Sequence, residues 1–538
     1  MNIKSCIKSK ITIKSCACIL ILSFCLSSYG ETLFTKSIPL EPGEKWWGGP
    51  IVDGHIMPFG DEFYLHNMLG DTKGNQSQPL LISNHGRYIW CDDPFEFEFN
   101  EGVLKLSSTF SDFKSGQAGH TLKDAYLHAS QTFFPPTGKI PAEILFTHPQ
   151  YNTWIELMYD QNQDDILKYA ESIIKHGFPP GVLMIDDNWQ EDYGTWEFKA
   201  ERFSDPKGMI DKLHAMGFKV MLWVCPFISA DSPVYRELKR KRVLMSEDDN
   251  QTVPAIVRWW NGASALIDLS NPDGEQWFHQ QLQNLVDKYQ VDGFKLDAGD
   301  AQYYNGEICA SQELHANQHT ELFAKIGLRF PMNEYRACWK MAGQPLVQRL
   351  RDKSHSWNDL RKLIPGILTQ GLVGYAYTCP DLIGGGEFRS FLNLDKIDQE
   401  LIVRSAQCHA LMPMMQFSVA PWRVLDNEKM EICREMAILH NHMADEILNL
   451  ARQSSITGEP IVRHMEYAYP NQGFINIKDQ FMLGEDILVA PVLHKNTRER
   501  IVQFPEGTWK ADDDAIINGP CRIKIKAPIH RLPWFKRQ

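Results

Sequence analysis

Gly293-Phe294-Lys295-Leu296-Asp297-Ala298-Gly299-Asp300 decides the fold. It is a short, mostly apolar run that follows a helical stretch, Glu275 to Tyr289, and leads into two acids. The same grammar recurs along the chain. A helical stretch from Gln163 to His176 leads to Gly181-Val182-Leu183-Met184-Ile185 and then to Asp186-Asp187. Another, from Lys207 to Met216, leads to Phe218-Lys219-Val220-Met221-Leu222-Trp223-Val224. Thr153-Trp154-Ile155-Glu156-Leu157 reads as the strand that starts the series. Pro345-Leu346-Val347 and Gly374-Tyr375-Ala376-Tyr377 carry it on to about Met415. Strands that are apolar throughout and alternate with helices form a parallel sheet covered by those helices. About 300 residues of such alternation predict an α/β fold, a (β/α)8 TIM barrel with loop insertions. A doubly wound sheet is the alternative, but no glycine-rich dinucleotide turn follows the first strand.

On the N-terminal side the rhythm has period two. Arg87-Tyr88-Ile89-Trp90 and Phe95-Glu96-Phe97-Glu98-Phe99 are broken by Gly, Pro and Asn, as in an antiparallel β-domain. On the C-terminal side a helix from Glu431 to Leu450 gives way to strand patterns at Gln480 to Val492 and Arg522 to Lys526. The expected division is residues 31–145, an N-terminal β-sandwich; 146–452, the barrel; and 453–538, a small C-terminal β-domain. Residues 1–30 read as an export signal. Lys4, Lys8, Lys10 and Lys14 precede an apolar run from Cys16 to Leu26, and Ser28-Tyr29-Gly30 offers a cleavage site. The run is shorter than the roughly 20 residues of a membrane span, so no integral span is expected after its removal. Cys18 and Cys25 leave room for a lipid anchor, but Phe24 before Cys25 fits one poorly.

Composition narrows the classes. Hydrophobic residues at 43% and charged residues at 23% are ordinary for a globular chain, against disorder, collagen or a multi-span membrane protein. A net charge of -12 repels phosphate backbones, so nucleic acid is not the expected partner. The abundant aromatics, 15 Trp among them, serve cores and sugar-stacking platforms alike. No CxxC pair, HExxH or GxSxG occurs, so the sequence points to no metal, no organic cofactor and no serine nucleophile. The cysteines after residue 30 are scattered singly and read mostly as buried thiols. The sequence carries no sign of oligomeric state.

In a barrel of this kind, chemistry collects where strands end and βα-loops begin. Asp186 and Asp187, Asp297 and Asp300, Asp352 and Asp381 all follow apolar runs. One such Asp is more often a loop cap than a catalyst. Four strand ends carrying Asp, interleaved with Trp189, Trp223 and Trp357, fit paired carboxylates between aromatic walls, the arrangement that cleaves glycosidic bonds. Trp189 and Trp223 are expected sugar platforms. Trp259 and Trp260 fit packing better than the entrance, and Tyr303 and Tyr304 fall where they would rim a pocket. If strand geometry persists, Arg351 and Lys353 point away from the side that carries Asp352.

These segments resemble glycoside hydrolase family 31, the retaining α-glycosidases, over nearly the whole chain after residue 30. They are most similar to its branch of myogenesis-regulating glycosidase and bacterial α-galactosidases. The run from Gly293 to Asp300 resembles the family's nucleophile strand, and Val182 to Trp189 its second-strand motif. Asp381-Leu382-Ile383-Gly384-Gly385 resembles its Asp-Ile-Gly-Gly element. Trp260-Asn261-Gly262 with Asp268 to Pro272, and Gln480 to Pro491, match flanking segments. Arg351 stands where the family usually has Gly before its acid/base.

The resemblance implies Asp297 as nucleophile and Asp352 as general acid/base. Taken with the strand-end tryptophans, the expected sugar-binding set is Asp186, Asp187, Trp189, Trp223, Lys295, Arg349 and Asp381. The expected activity is an exported, exo-acting retaining α-glycosidase on oligosaccharides or glycosides, α-galactosidase first. The alternatives are α-glucosidase or α-xylosidase, an α-transglycosylase, and a non-catalytic carbohydrate-binding protein on the same scaffold.

Overall fold

Eight short parallel strands surround one interior in a computed structural model that describes residues 33–306 and 308–538. They are β1 (Gln150–Asn152), β2 (Val182–Ile185), β3 (Lys219–Val224), β4 (Gly293–Leu296), β5 (Met332–Tyr335), β6 (Gln348–Arg349), β7 (Thr378–Cys379) and β8 (Gln416–Phe417). Their order around the sheet is β7-β6-β5-β4-β3-β2-β1-β8, the order of the chain itself. Between β7 and β8 the Ile383 N–H donates to Gln416 O at 2.8 Å. The expected α/β barrel is therefore present. The expected export segment lies outside the described residues. Among the described residues no helix is long and apolar enough to cross a membrane.

Local chemistry moves several boundaries. The first strand is β1, not Thr153 to Leu157; Trp154–Leu157 is a helical turn. The chain turns because Asn152 Oδ1 accepts from Trp154 N at 2.8 Å, while the Thr153 hydroxyl donates to Gln161 and accepts from Asp186 N. The runs that start at Pro345 and Gly374 pair only three and four residues later, as β6 and β7. The helix expected from Glu431 to Leu450 is two helices, Asn427–His442 and Ala444–Thr457, broken at Met443.

Two antiparallel sheets precede the barrel. One pairs Phe34–Pro39, Val103–Ser108, Glu96–Asn100 and Tyr64–Asn67. The other contains Trp46–Pro50, Gln76–Ser83, Arg87–Trp90 and Lys114–Gln117, and takes Cys338–Trp339 from the barrel as a parallel neighbour of Gln76 and Ser77. A helix, Leu122–Phe133, then leads toward the barrel under a capping box between Thr121 and Asp124. At the other end, six strands from Val462–Arg463 to Trp534–Arg537 form an antiparallel sheet.

Strand β5 carries Asn333 and Glu334, both fully buried. Asn333 Oδ1 accepts from Val347 N at 2.9 Å, and its amide donates to Phe330 O at 2.9 Å, tying β5 to the chain entering β6. Asn333→Ala strands these partners, each worth about 1–3 kcal/mol when buried and unmet. The variant is expected to lose at least about 2 kcal/mol in chemical denaturation. A loss under about 0.5 kcal/mol, the size of a surface change, would show that this tie is not structural.

Candidate active site

The strand register builds the floor of a cleft at the C-terminal ends of the barrel strands. Trp223 of β3 lies beside Lys295 of β4, which lies beside Glu334 of β5. Side chains alternate along a strand, so Asp297, two after Lys295, follows it to the same side. Asp297 Oδ1 accepts from Arg336 Nε at 2.8 Å and from Ala298 N at 2.8 Å. Its Oδ2 accepts from Trp223 Nε1 at 3.0 Å. Burial pushes this carboxyl up, but the charges of Arg336, Lys295 and Arg349 outweigh burial and hold it well below the usual carboxylate range. Asp297, 8% exposed, is thus held in its ionised form.

Lys295 is 4% exposed and donates to Asp186 Oδ2 at 2.7 Å. Burial works against its charge and is the largest influence on it, but Asp186, Asp297 and Glu334 together outweigh burial and raise it. Asp187 accepts four hydrogen bonds, from Asn188 N, Gln190, Tyr193 and Asn261. Burial still pushes its carboxyl up to about 7, against the bonds from Gln190, Asn188 and Tyr193, with the charge of Asp186 adding to the rise.

Arg336 forms a fork on Asp300, with Nη1 to Oδ1 at 2.9 Å and Nη2 to Oδ2 at 2.5 Å, while its Nε serves Asp297. Arg349 is 1% exposed. Its Nη1 donates to Asp352 Oδ1 and to Asp381 Oδ1, both at 2.8 Å, and its Nε lies 3.3 Å from Glu334. The N-terminal domain fixes the backbone of both arginines. Asn75 and Gln76 donate side-chain N–H groups to Arg336 O at 2.8 and 2.7 Å, and Gln76 also donates to Arg349 O at 2.8 Å.

The cleft holds about 740 Å³, an ordinary size for a ligand site. Asp186, Asp187, Trp223, Lys295, Asp297, Arg349 and Asp352 line it together. Two expected residues do not. Trp189 is fully buried behind Trp223, donating from Nε1 to Trp223 O at 2.8 Å and packing on Phe198, so it is a core residue and not a sugar platform. Asp381 is buried behind Asp352 and touches Arg349 and Lys353 instead of the cleft. Trp259 stacks on Phe227, whereas its neighbour Trp260 lines the cleft with Arg336 over its ring at 5.3 Å. Tyr303 lines the cleft, and Tyr304 is buried against His319. Strand alternation does not extend to Asp352, because β6 ends at Arg349.

Sequence reasoning missed Arg336, Glu334, Trp154, Tyr159, Phe388 and Arg389, and the N-terminal Val52, Lys73 and Gly74. Arg336 carried one usable signal: it follows β5 as Asp297 follows β4. Polar Asn333 and Glu334 interrupt that strand, so it does not read as an apolar run.

Fold and cleft define a (β/α)8-barrel protein with an acidic, arginine-braced ligand site. Residues 145–444 match the glycosyl hydrolases family 31 TIM-barrel domain, and residues 458–538 match the glycosyl hydrolase family 31 C-terminal domain. The chain belongs to glycosyl hydrolase family 31. It is 32% identical over 407 residues to myogenesis-regulating glycosidase of Mus musculus, covering 73% of this chain and 56% of that protein. It is 22% identical over 477 residues to alpha-xylosidase XylQ of Lactiplantibacillus pentosus, covering 82% and 59%. The chain thus spans a little over half the length of these curated relatives. In fold it is similar to a Flavobacterium johnsoniae GH31 dextranase complexed with glucose, with a TM-score of 0.82 at 19% identity over 94% of this chain and 66% of that one.

Lys295→Met would leave Asp186 buried without its cation. Breaking a buried pair from one side costs about 3–5 kcal/mol, and that loss is expected in the denaturation midpoint. The double variant Lys295→Met/Asp186→Leu, which removes both charges, should lose less than the single one. A single variant as stable as wild type would mean the pair carries no structural weight.

Proposed function

We propose that the chain is an exported, exo-acting retaining α-glycosidase that removes terminal α-linked sugars from oligosaccharides or glycosides. The observation that carries this reading is the pairing in one cleft of two carboxylates, each beside an arginine, that differ in exposure. Asp297 is buried among cations, and Asp352 is an exposed carboxyl on the loop after β6. In the first step an oxygen of Asp297 bonds to the anomeric carbon, the glycosidic C–O bond breaks, and the proton of Asp352 goes to the leaving oxygen. In the second, Asp352 takes a proton from water, the water oxygen bonds to the anomeric carbon, and the ester to Asp297 breaks. Lys295 and Asp186 fix each other at the cleft wall, in reach of sugar hydroxyls. Export rests on the sequence of residues 1–30.

α-Galactoside is the proposed substrate, supported by the Asp186-Asp187-Asn188-Trp189 sequence and by the similarity to the branch that includes myogenesis-regulating glycosidase. The second reading, α-glucoside or α-xyloside, is favoured by relatives named alpha-xylosidase and alpha-glucosidase. A hydrolysis screen over aryl α-galactoside, α-glucoside, α-xyloside and α-N-acetylgalactosaminide separates them, and added acceptor sugars reveal any transglycosylation.

Asp297→Ala is expected to abolish turnover. Asp352→Ala is expected to slow sugar-linked substrates by about 10²–10⁴-fold, the usual worth of a positioned acid, and activated aryl glycosides much less. Equal losses on both substrate types would count against Asp352 as the acid. A wild type as inactive as Asp297→Asn on the whole panel, with both binding sugar, would mark a non-catalytic binding protein.

Arg336→Met removes the first of the cations that hold the Asp297 carboxyl down, so the carboxyl rises toward the value its burial favours, with Lys295 and Arg349 still opposing. Ionised Asp297 is then lost at a higher pH as the solution is acidified. The acidic limb of kcat/KM is expected to move up by about 1 unit or more, the usual effect of an opposite charge at this range. An unmoved limb would separate Arg336 from the ionisation of the nucleophile.

A further inference from the structure

Asp381 lies outside the cleft, yet it is fastened to both sides of Asp352. Its Oδ1 accepts from Arg349 Nη1 at 2.8 Å, and that nitrogen also donates to Asp352 Oδ1 at 2.8 Å. Its Oδ2 accepts from Lys353 N at 2.7 Å, the N–H of the peptide that follows Asp352. The Asp381 backbone sits at φ +99°, in the left-handed region that costs a non-glycine residue about 1–3 kcal/mol. The next turn stays close to the same loop. A Cβ on Gly385, itself at φ +107°, would lie 2.5 Å from Lys353 O; one on Gly386 would lie 2.8 Å from Asp352 Oδ1 and 2.9 Å from Asp381 Oδ1.

Asp352 has little else to orient it. It stands beyond a two-residue strand with its side chain 41% exposed, and its Oδ2 accepts no hydrogen bond among the described residues. Among the described residues Arg349 alone hydrogen-bonds the carboxyl, and Arg349 is held in turn by Asp381 and Glu334. We propose that Asp381 is a positioning residue for proton donation: by holding Arg349 and the Lys353 peptide, it aims the Asp352 carboxyl into the cleft. The proposal rests on Asp352 being the acid/base, and it assigns Asp381 no contact with the sugar. A carboxylate is needed because both its oxygens face donors. An amide accepts at one and sets an N–H against the other.

The test is steady-state kinetics of the full chain on two substrates of the sugar it hydrolyses. One is a disaccharide, whose leaving oxygen needs a proton. The other is the α-glycosyl fluoride, whose leaving group needs none. Asp381→Asn, which keeps the volume and tolerates the left-handed backbone, is expected to lower kcat/KM on the disaccharide by about 30-fold or more, since acid catalysis is worth about 10²–10⁴. On the fluoride it should lose less than about threefold, which also shows that the variant is folded. Added to Asp352→Ala, it should change the fluoride rate by less than about twofold, because a residue acting only through another adds nothing once that other is gone. Gly386→Ala, whose methyl presses on both carboxylates, should give the same pattern. Equal losses on both substrates, or an unimpaired disaccharide rate, would overturn the proposal while leaving Asp352 as the acid. If Asp352→Ala itself fails to discriminate between the two substrates, the acid/base assignment falls and the proposal falls with it.

Discussion

The guanidinium of Arg349 lies beneath the cleft and meets three carboxylates, Glu334, Asp352 and Asp381. A charge buried this deeply is stable only when paired and hydrogen-bonded. Much of the barrel mouth is arranged to meet that condition. Glu334 is fixed in turn by Gln416, whose amide also reaches Gln150, so the chain of contacts crosses the barrel from β6 to β1. Burial pushes the carboxyls of Glu334 and Asp381 upward against the opposing charge of Arg349, and Asp381 still stands raised to about 7. Arg336 pairs in the same way with Asp297 and Asp300 beyond the neighbouring strand. Two arginines therefore divide the site, one for each carboxylate that the proposed reaction uses.

This division explains why the N-terminal domain belongs to the site. Strands β5 and β6 are short, and the carbonyls of Arg336 and Arg349 at their ends need donors that the barrel does not supply. Asn75 and Gln76 supply them from the neighbouring sheet, and Cys338–Trp339 continues that sheet from the barrel side. Backbone strain gathers at the same rim. Asn188, Ala298 and Asp381 have positive φ, each immediately beyond or within two residues of a strand-end acid or being one itself. Strain of this kind persists only where surrounding bonds over-determine it, and at Ala298 and Asp381 those bonds involve the carboxylates themselves.

The barrel was legible because β2, β3 and β4 are buried on both faces and read as apolar runs preceded by helices. Asp186, Asp187, Lys295 and Asp297 were legible for the same reason, as polar residues within or just beyond such runs. The limits have physical causes. Strand β5 was hidden because its buried residues include Asn333 and Glu334, which pair inside the protein instead of avoiding it. Arg336 was hidden with it. Trp189 looked like a platform because a strand-end Trp faces either the ligand or the next layer of core, and only the position of Trp223 in front of it decides which. Asp381 was legible as an acid near the site, but its direction depends on a left-handed backbone that the sequence does not announce. The N-terminal contribution is a contact between domains, which no local pattern encodes.

The proposed reaction requires Asp297 to become covalently bonded to sugar during turnover. A 2-deoxy-2-fluoro or 5-fluoro glycosyl fluoride of the hydrolysed sugar slows breakdown of such an intermediate, so protein digested after reaction can be read by mass spectrometry. One added glycosyl group per chain is expected, carried on Asp297 in the peptide containing Gly293 to Asp300 and lost when the label is chased with acceptor. A label on another carboxylate, or turnover with inversion and no adduct, would contradict it.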